Sequence, residues 1–172
     1  MEPSVIFPCL LYREILDVSD EYNSQLTREI EHMGILETSF FASDRLFENS
    51  VFTHLTEHIT RAVNEYARMV GTDRTFRIHS MWANYSKKGA CMGTHTHGTH
   101  PISGVYYINI PKCPEGYFLR FIYDKWTLRG NEWDEPLESK KLLLFEGWVL
   151  HGYAPNPSNE PKIAISFNFE FS

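Results

Sequence analysis

Four of the eight histidines fall in two short segments of the sequence. His95, His97 and His100 lie close together, and His151 follows 54 residues after His97. Residues two apart in an extended chain point to the same side, so His95 and His97 can present both imidazoles to one ion. Neutral imidazole suits Fe, Zn, Cu and Ni, whereas Mg²⁺ and Ca²⁺ prefer carboxylates that this segment lacks. The pattern predicts a redox or Lewis-acid metal site formed by His95, His97 and His151.

Spacing alone leaves other interpretations open. The His-x-His pair can also be an exposed polar loop, with His151 as a hydrogen-bonded surface residue. His100 is a further candidate ligand, although a histidine that precedes proline in a turn more often lies outside the ligand set. His54 and His58, four residues apart on a predicted helix, have a spacing that can hold a metal, but a polar helix face explains them equally well.

Composition narrows the function classes. The 172 residues include 16 basic and 22 acidic side chains, and a net charge of -6 disfavours nucleic acid or anionic lipid as a partner. Three widely spaced cysteines indicate a reducing, cytoplasmic compartment. We expect neither a signal peptide nor a membrane span. The chain also lacks the glycine-containing motifs that mark serine hydrolases, kinases and dinucleotide-binding dehydrogenases.

The N-terminal part of the sequence has the periodicity of helices. Two helices are predicted over 19–33 and 49–70, the first capped by Ser19 or Asp20 and the second ended by Gly71. This predicts a helical scaffold over about residues 19–71. Because the length fits one domain, residues 1–172 are predicted to form a single unit.

Short apolar runs separated by turn residues dominate the remainder of the chain, which predicts a mainly β fold with N-terminal helices. The spacing favours an antiparallel sandwich or barrel over about residues 76–171. The segment Lys125–Lys140, with Trp126 and Trp133, is either a lid or a plain strand connection. A strand pair, or an edge strand broken at Pro8, is expected in the opening run Val5–Leu16. The other predicted strands span 76–86, 103–110, 117–123, 142–145, 148–153 and 162–171.

Two blocks carry a resemblance to a known family: HTHGTHPISGVYYINIP at 95–111 and LLLFEGWVLHGYAPNPSNEPKIAISFNF at 142–169. The sequence resembles the 2-oxoglutarate and iron(II)-dependent oxygenase superfamily, especially a small branch that is common in phages and marine bacteria and related to prolyl hydroxylases. The likeness covers about residues 76–171. It implies a double-stranded β-helix (jelly-roll) core and, for a phage-encoded protein, a place in the host cytoplasm.

The resemblance implies that His95 and His151 are two imidazole ligands of Fe(II). His97 occupies the position that usually holds Asp or Glu. A third neutral imidazole leaves the metal charge uncompensated, which favours the binding of anions. Whether His97 or water fills this third position stays open.

The resemblance also implies a binding site for 2-oxoglutarate. Lys162, 11 positions after His151, corresponds to the basic residue that binds the distal carboxylate, where relatives more often have arginine. Lysine offers a point charge instead of a bidentate fork. Tyr107 corresponds to a tyrosine that hydrogen-bonds the same carboxylate, or is simply a buried aromatic residue of a core strand. Weaker candidates for cosubstrate contacts are Asn84, Tyr85 and Ser166.

The implied activity is that of a dioxygenase that uses O₂ and 2-oxoglutarate to hydroxylate a C–H bond, releasing succinate and CO₂. A peptide or protein side chain, a small molecule or a nucleobase are possible primary substrates, and the likeness to prolyl hydroxylases favours a peptide or protein. A cupin-type dioxygenase with three histidines is a second hypothesis, but it would not need Lys162. A third is a non-catalytic binding or structural protein, which would bind neither iron nor 2-oxoglutarate.

Overall fold

The structure is a computed structural model and describes residues 9–35, 37, 43–112, 116–127 and 130–172. In chain order, its elements are β1 (Tyr12–Ile15), α1 (Asp20–His32), two 3-10 turns (Leu46–Glu48 and Ser50–Phe52), α2 (Thr53–Met69), β2 (Phe76–Ser86), β3 (Met92–His95), β4 (Ile102–Asn109), β5 (Phe118–Thr127), β6 (Gly130–Pro136), β7 (Lys141–Phe145), β8 (Leu150–Tyr153) and β9 (Lys162–Phe171).

The strands form two antiparallel sheets. The larger sheet has the order β1-β7-β4-β9-β2, and the smaller has the order β3-β8-β5-β6. Together they form the jelly-roll core that the family resemblance predicts, with the two helices N-terminal to most of it. Because neighbouring strands are far apart in the sequence, the fold brings distant segments side by side.

The two predicted helices are present, and both bury an apolar stripe against the larger sheet. The side chain of Ser19 accepts a hydrogen bond from the backbone N–H of Tyr22 at 3.1 Å, which caps α1 as predicted. The second helix begins later than predicted, because Asn49 caps one of the 3-10 turns and α2 starts at Thr53. No helix in the described part of the chain is long and apolar enough to cross a membrane.

Alternation along the strands divides the interior into two apolar clusters. On β7, Leu142 and Leu144 pack under the helices, while Leu143 and Phe145 face the space between the sheets. On β9, Ile163, Ile165 and Phe167 join the helix side, and Ala164 joins the cluster between the sheets. The inner faces of the two sheets therefore enclose an apolar core, and polar side chains at alternate strand positions point into it.

The sequence does not predict β3 or β6. The segment Lys125–Lys140, expected to be a lid or a plain connection, instead contains the end of β5 and all of β6, which pair with each other. The polar sequence of β6 fits its place at a sheet edge, where charged side chains protect an unpaired strand. In the described part of the opening run, residues 9–16, Tyr12–Ile15 forms a strand. Residues 1–8 and the side chain of Trp126 lie outside what the structure describes.

Candidate metal and cosubstrate site

The three predicted metal ligands converge between the sheets. His95, at the end of β3, lies directly opposite His151 on β8, and His97 follows two residues after β3 ends. One potential ligand atom from each of the three side chains lies within 4.8 Å of the other two. The Nε2 atoms of His97 and His151 are 3.3 Å apart, in rings that are almost parallel. This geometry allows a single ion to contact all three imidazoles.

Backbone carbonyls orient two of these imidazoles. His95 Nδ1 donates to the carbonyl of Gly93 at 2.8 Å, and His151 Nδ1 donates to the carbonyl of Val149 at 2.8 Å. A carbonyl can only accept, so both rings carry the proton on Nδ1 and leave Nε2 free as a metal ligand. Such partners hold ligand rings in place before the metal binds.

Side chains orient the third imidazole. The ring of Trp82 lies 5.8 Å from the ring of His97, and Asn168 hydrogen-bonds His97. Asn168 is itself held inside the core, where it accepts from Ser103 Oγ at 2.7 Å and donates to Ser80 Oγ at 3.1 Å. All three of these polar residues are buried. The position of His97 therefore depends on a buried polar network that reaches across β2, β4 and β9.

A glycine lets the turn between β7 and β8 approach the histidine loop. The backbone N–H of His97 donates to the carbonyl of Gly147 at 2.7 Å. A Cβ atom on Gly147 would lie 2.2 Å from the carbonyl oxygen of His100, so no other residue fits without moving the loop. The ring of His100 packs at 4.6 Å on the ring of His79 and lies outside the three-histidine group.

The imidazoles of His97 and His151 stay neutral at physiological pH. Burial, together with a smaller effect of the neighbouring imidazoles, lowers the pKa of His97 to about 4 and that of His151 to about 3. The neutral ring is the form that binds metals. By contrast, His54 and His58 form an exposed pair on α2 with their Nε2 atoms 3.3 Å apart, and no third ligating side chain completes a group there within the described residues.

A cavity of about 60 Å³ extends from the three imidazoles to Lys162. Alternate residues of β9 line it, and they share the inner face of the larger sheet with side chains from β2 and β4. The polar residues along it that the sequence predicts as cosubstrate contacts are Asn84, Tyr107, Lys162 and Ser166. Four of the five predicted contacts thus lie in one cavity with the candidate metal ligands.

The far end of this cavity holds two polar groups, the Lys162 ammonium and the Asn84 amide oxygen, that have no hydrogen-bond partner in the described residues. Lys162 is only 2% exposed, and its Nζ lies 2.9 Å from the centre of the Tyr153 ring, with no hydrogen bond or carboxylate partner in the described residues. Burial lowers the pKa of Lys162 to about 7. Within the same described residues, Asn84 Oδ1 is buried without a hydrogen-bond partner, although Asn84 Nδ2 donates to Ser166 Oγ at 2.9 Å. A buried ammonium group without a partner is costly, so Lys162 makes this end fit a carboxylate ligand.

Comparison with known proteins identifies the family. The family model described as "Putative 2OG-Fe(II) oxygenase" matches residues 80–168, a range that contains all three histidines and Lys162. This chain belongs to that family. Its cofactors are therefore Fe(II) and 2-oxoglutarate, and it is an oxygenase. No curated protein matches the sequence, and the relation to a branch of phages and marine bacteria stays a prediction.

Solved structures share the fold of this oxygenase at low sequence identity. HygX from Streptomyces hygroscopicus, solved with nickel and 2-oxoglutarate bound, has a TM-score of 0.70 and 11% identity over 93% of this chain and 81% of that chain. A prolyl-4-hydroxylase from Pseudomonas putida has a TM-score of 0.63 and 14% identity over 93% and 84%. The 2-oxoglutarate-dependent epimerase SnoN from nogalamycin biosynthesis has a TM-score of 0.70 and 10% identity over 92% and 76%.

The oxygenase differs from the sequence predictions at Tyr85. This residue lies on the face of β2 opposite Asn84, packs against the helix-side core, and has a raised pKa because of burial and its contact with Glu31. Strand alternation therefore turns it away from the cavity. Conversely, no role is predicted for Asn168 from the sequence, although its place on the same alternating face of β9 as Lys162 and Ser166 is a signal that could have indicated one.

Proposed function

We propose that His95, His97 and His151 hold Fe(II) and that Lys162 binds the distal carboxylate of 2-oxoglutarate. The oxygenase then hydroxylates a C–H bond of a peptide or protein side chain or of a small molecule, with release of succinate and CO₂. The observation that carries this proposal is the cavity that joins three imidazoles to a buried Lys162 side chain with no hydrogen-bond or carboxylate partner in the described residues.

Each polar group of the cavity has a task in this proposal. The carbonyls of Gly93 and Val149 aim two Nε2 atoms at the ion, and Asn168 aims the third ring. Lys162 supplies the positive charge for the carboxylate, while Tyr107 and Ser166 offer hydroxyl groups along the cavity wall. With the cosubstrate bound, iron supplies the oxidising chemistry with O₂, and the protein contributes orientation and exclusion of water.

The charge balance of the site favours tight binding of the cosubstrate. Three neutral imidazoles leave the full charge of a metal dication in place, and Lys162 adds a further positive charge. Together these charges exceed the two negative charges of 2-oxoglutarate. A cupin-type dioxygenase that works without 2-oxoglutarate would have no use for a buried ammonium group in the same cavity as the metal ligands. Lys162 therefore favours the proposed function over that alternative.

Anaerobic titration tests the proposal. We would add Fe(II) and then 2-oxoglutarate to the purified protein and follow the visible metal-to-ligand charge-transfer band of the chelate, in the wild type and in His97→Ala. We expect a band in the wild type. A weakened or shifted band in His97→Ala would identify His97 as a ligand, whereas an unchanged band would place water at the third position. Tight iron binding without any band in the wild type would refute the 2-oxoglutarate site.

A further inference from the structure

A second and larger cavity opens beside the metal site. It has a volume of about 580 Å³ and lies between β1 of the larger sheet and β5 and β6 of the smaller. We call it the aromatic groove, defined by Phe121, Tyr123, Trp133, Phe145 and Trp148. Its volume is within the range of about 300–1,000 Å³ that is typical of sites for small organic molecules.

Strand register connects the aromatic groove to the metal ligands. His95 pairs with His151, His151 pairs with Phe121, and Phe121 pairs with Trp133. Directly opposite residues on neighbouring strands point to the same face, so these four side chains form one row across the inner face of the smaller sheet. Two strand spacings separate His151 from Trp133, a distance of about 10 Å. A molecule of moderate size bound at Trp133 therefore lies close to the metal end of the smaller sheet.

Phe145 forms the wall between the groove and the metal site. Its ring lies 4.7 Å from the ring of His151 and 5.1 Å from that of Phe121. Phe145 lines both the cavity that leads to Lys162 and the aromatic groove. The two cavities thus meet at a single apolar side chain next to a candidate metal ligand.

Large aromatic rings at the groove are exposed. Trp133 is 58% exposed, Trp148 is 44% exposed and Tyr123 is 41% exposed. Exposed apolar surface of this kind, gathered around one concavity, is typical of binding sites. Flat aromatic faces favour a ligand that carries rings, because offset and edge-to-face contacts add to the free energy of burial.

The charged groups of the groove are already paired within the protein. Arg13 Nε lies 2.9 Å from a carboxylate oxygen of Glu135, and its guanidinium lies over the ring of Trp133. Glu132 pairs with Arg120 at 3.0 Å. The indole N–H of Trp148 donates to the carboxylate of Glu146. These pairings leave the groove apolar, which favours an uncharged ligand.

We propose that the aromatic groove binds the primary substrate and that this substrate is a small, uncharged organic molecule with a ring system. The inference rests on the proposed function, since it takes the three-histidine group as the reactive centre. It narrows the two substrate classes of that proposal to one. Trp133 and Trp148 hold the ring system, and Phe145 borders the part of the molecule that faces the metal.

Probe binding tests the groove. We would titrate the protein with 2-naphthol, which is neutral at pH 7, and follow the NMR signals of the probe. Trp133→Ala and Trp148→Ala should each weaken binding about tenfold, because each removes one aromatic contact and its buried area. Trp133→Phe should restore most of the affinity. Phe118→Ala is the matched control, since Phe118 is 42% exposed on β5 but lies outside the groove, and it should change nothing.

Paramagnetic relaxation tests how near the probe lies to the metal site. With Mn(II) bound by the protein, the protons of bound 2-naphthol should relax as expected for a distance of about 10 Å or less. Normal relaxation with Mn(II) bound would overturn the inference. Tighter binding of 2-naphthoate than of 2-naphthol would also overturn the inference. The same holds if neither tryptophan substitution changes the affinity for 2-naphthol, or if decaproline binds in the groove in place of 2-naphthol.

The two proposals can fail separately. Trp133→Ala should keep the charge-transfer band of the iron and 2-oxoglutarate complex, because Trp133 contacts neither group. A wild-type band together with failed probe binding overturns the inference alone. Probe binding at the groove without any band in the wild type refutes the proposed function and, with it, the assignment of the groove to a substrate.

Discussion

At the metal end of the cavity every imidazole has an orienting partner within the protein, whereas at the other end the Lys162 ammonium group has no hydrogen-bond or carboxylate partner in the described residues. His95 and His151 donate to backbone carbonyls, and His97 is held by Asn168. Lys162, in contrast, has only the face of the Tyr153 ring against its ammonium group. One end is complete in the folded chain, and the other is completed by a ligand.

This difference shows which end of the cavity the fold prepares for its ligand and which end a bound ligand stabilises. Oriented imidazoles need little rearrangement when a metal binds, so the fold itself prepares that end. A buried ammonium without a partner destabilises the fold until an anion neutralises it. Substitutions at the two ends should therefore have opposite effects on the stability of the ligand-free protein.

The largest effect is expected from removing a metal ligand. His151→Ala should weaken Fe(II) binding by more than about 100-fold, since loss of a ligand exceeds the effect of losing a partner behind one. Anaerobic equilibrium dialysis would measure this affinity. His58→Ala is the control, because His58 belongs to the exposed pair on α2. Equal Fe(II) affinity in His151→Ala and the wild type would contradict the ligand assignment.

A substitution at the other end should separate ligand affinity from stability. Lys162→Met should weaken 2-oxoglutarate binding about 100-fold, as expected for a lost charged hydrogen bond of about 2–3 kcal/mol. It should leave Fe(II) affinity unchanged and raise the melting temperature of the ligand-free protein at pH 7. Calorimetric titration and thermal unfolding measure both effects, with Lys162→Arg as the charge-conserving control. A lower melting temperature would show that Lys162 stabilises the fold.

The pH dependence of cosubstrate binding should report the same ammonium group. The pKa of Lys162 in the folded protein is lowered to about 7, so the group loses its charge as the pH rises through that value. His97 and His151 stay neutral over this range. Affinity for 2-oxoglutarate should fall about tenfold per pH unit above pH 7, with proton uptake on binding. Calorimetry in buffers of different ionisation enthalpy measures the uptake, and Lys162→Arg should show none.

Ligand-free stability should change with pH in the opposite direction. Because the folded-state pKa of Lys162 lies below that of the unfolded chain, the folded state binds fewer protons between about pH 7 and pH 10. The contribution of Lys162 to the free energy of unfolding should therefore rise with pH across this window. The difference in the free energy of unfolding between the wild type and Lys162→Met, measured by urea unfolding, gives this contribution of Lys162. A difference that does not vary with pH would contradict the lowered pKa.

The smallest effect is expected from replacing Asn168, the residue that orients the imidazole of His97. Asn168→Ala should weaken Fe(II) binding about tenfold, because it removes the partner that orients His97. Asn168→Asp can still accept from the imidazole and from Ser103, so it should keep more of the affinity. Equal losses in both variants, measured by equilibrium dialysis, would show that the network serves packing only.

Much of the fold could be predicted from the sequence because its signals are local. The cap at Ser19, the apolar stripe of α2 and the alternation along β9 each depend on residues a few positions apart. Such patterns are fixed by the geometry of helices and strands. β3 and β6 were not predictable in this way, since one is short and the other is a polar edge strand whose pairing partner alone makes it a strand.

By itself the sequence determined the chemistry that is available: two histidine-containing blocks, one lysine at a fixed distance after the second, and strands to carry them. Only the tertiary structure decided which of these groups meet. The pairing of His95 with His151 and the row that ends at Trp133 both follow from strand register. Register depends on contacts between segments far apart in the chain, and no local pattern encodes it.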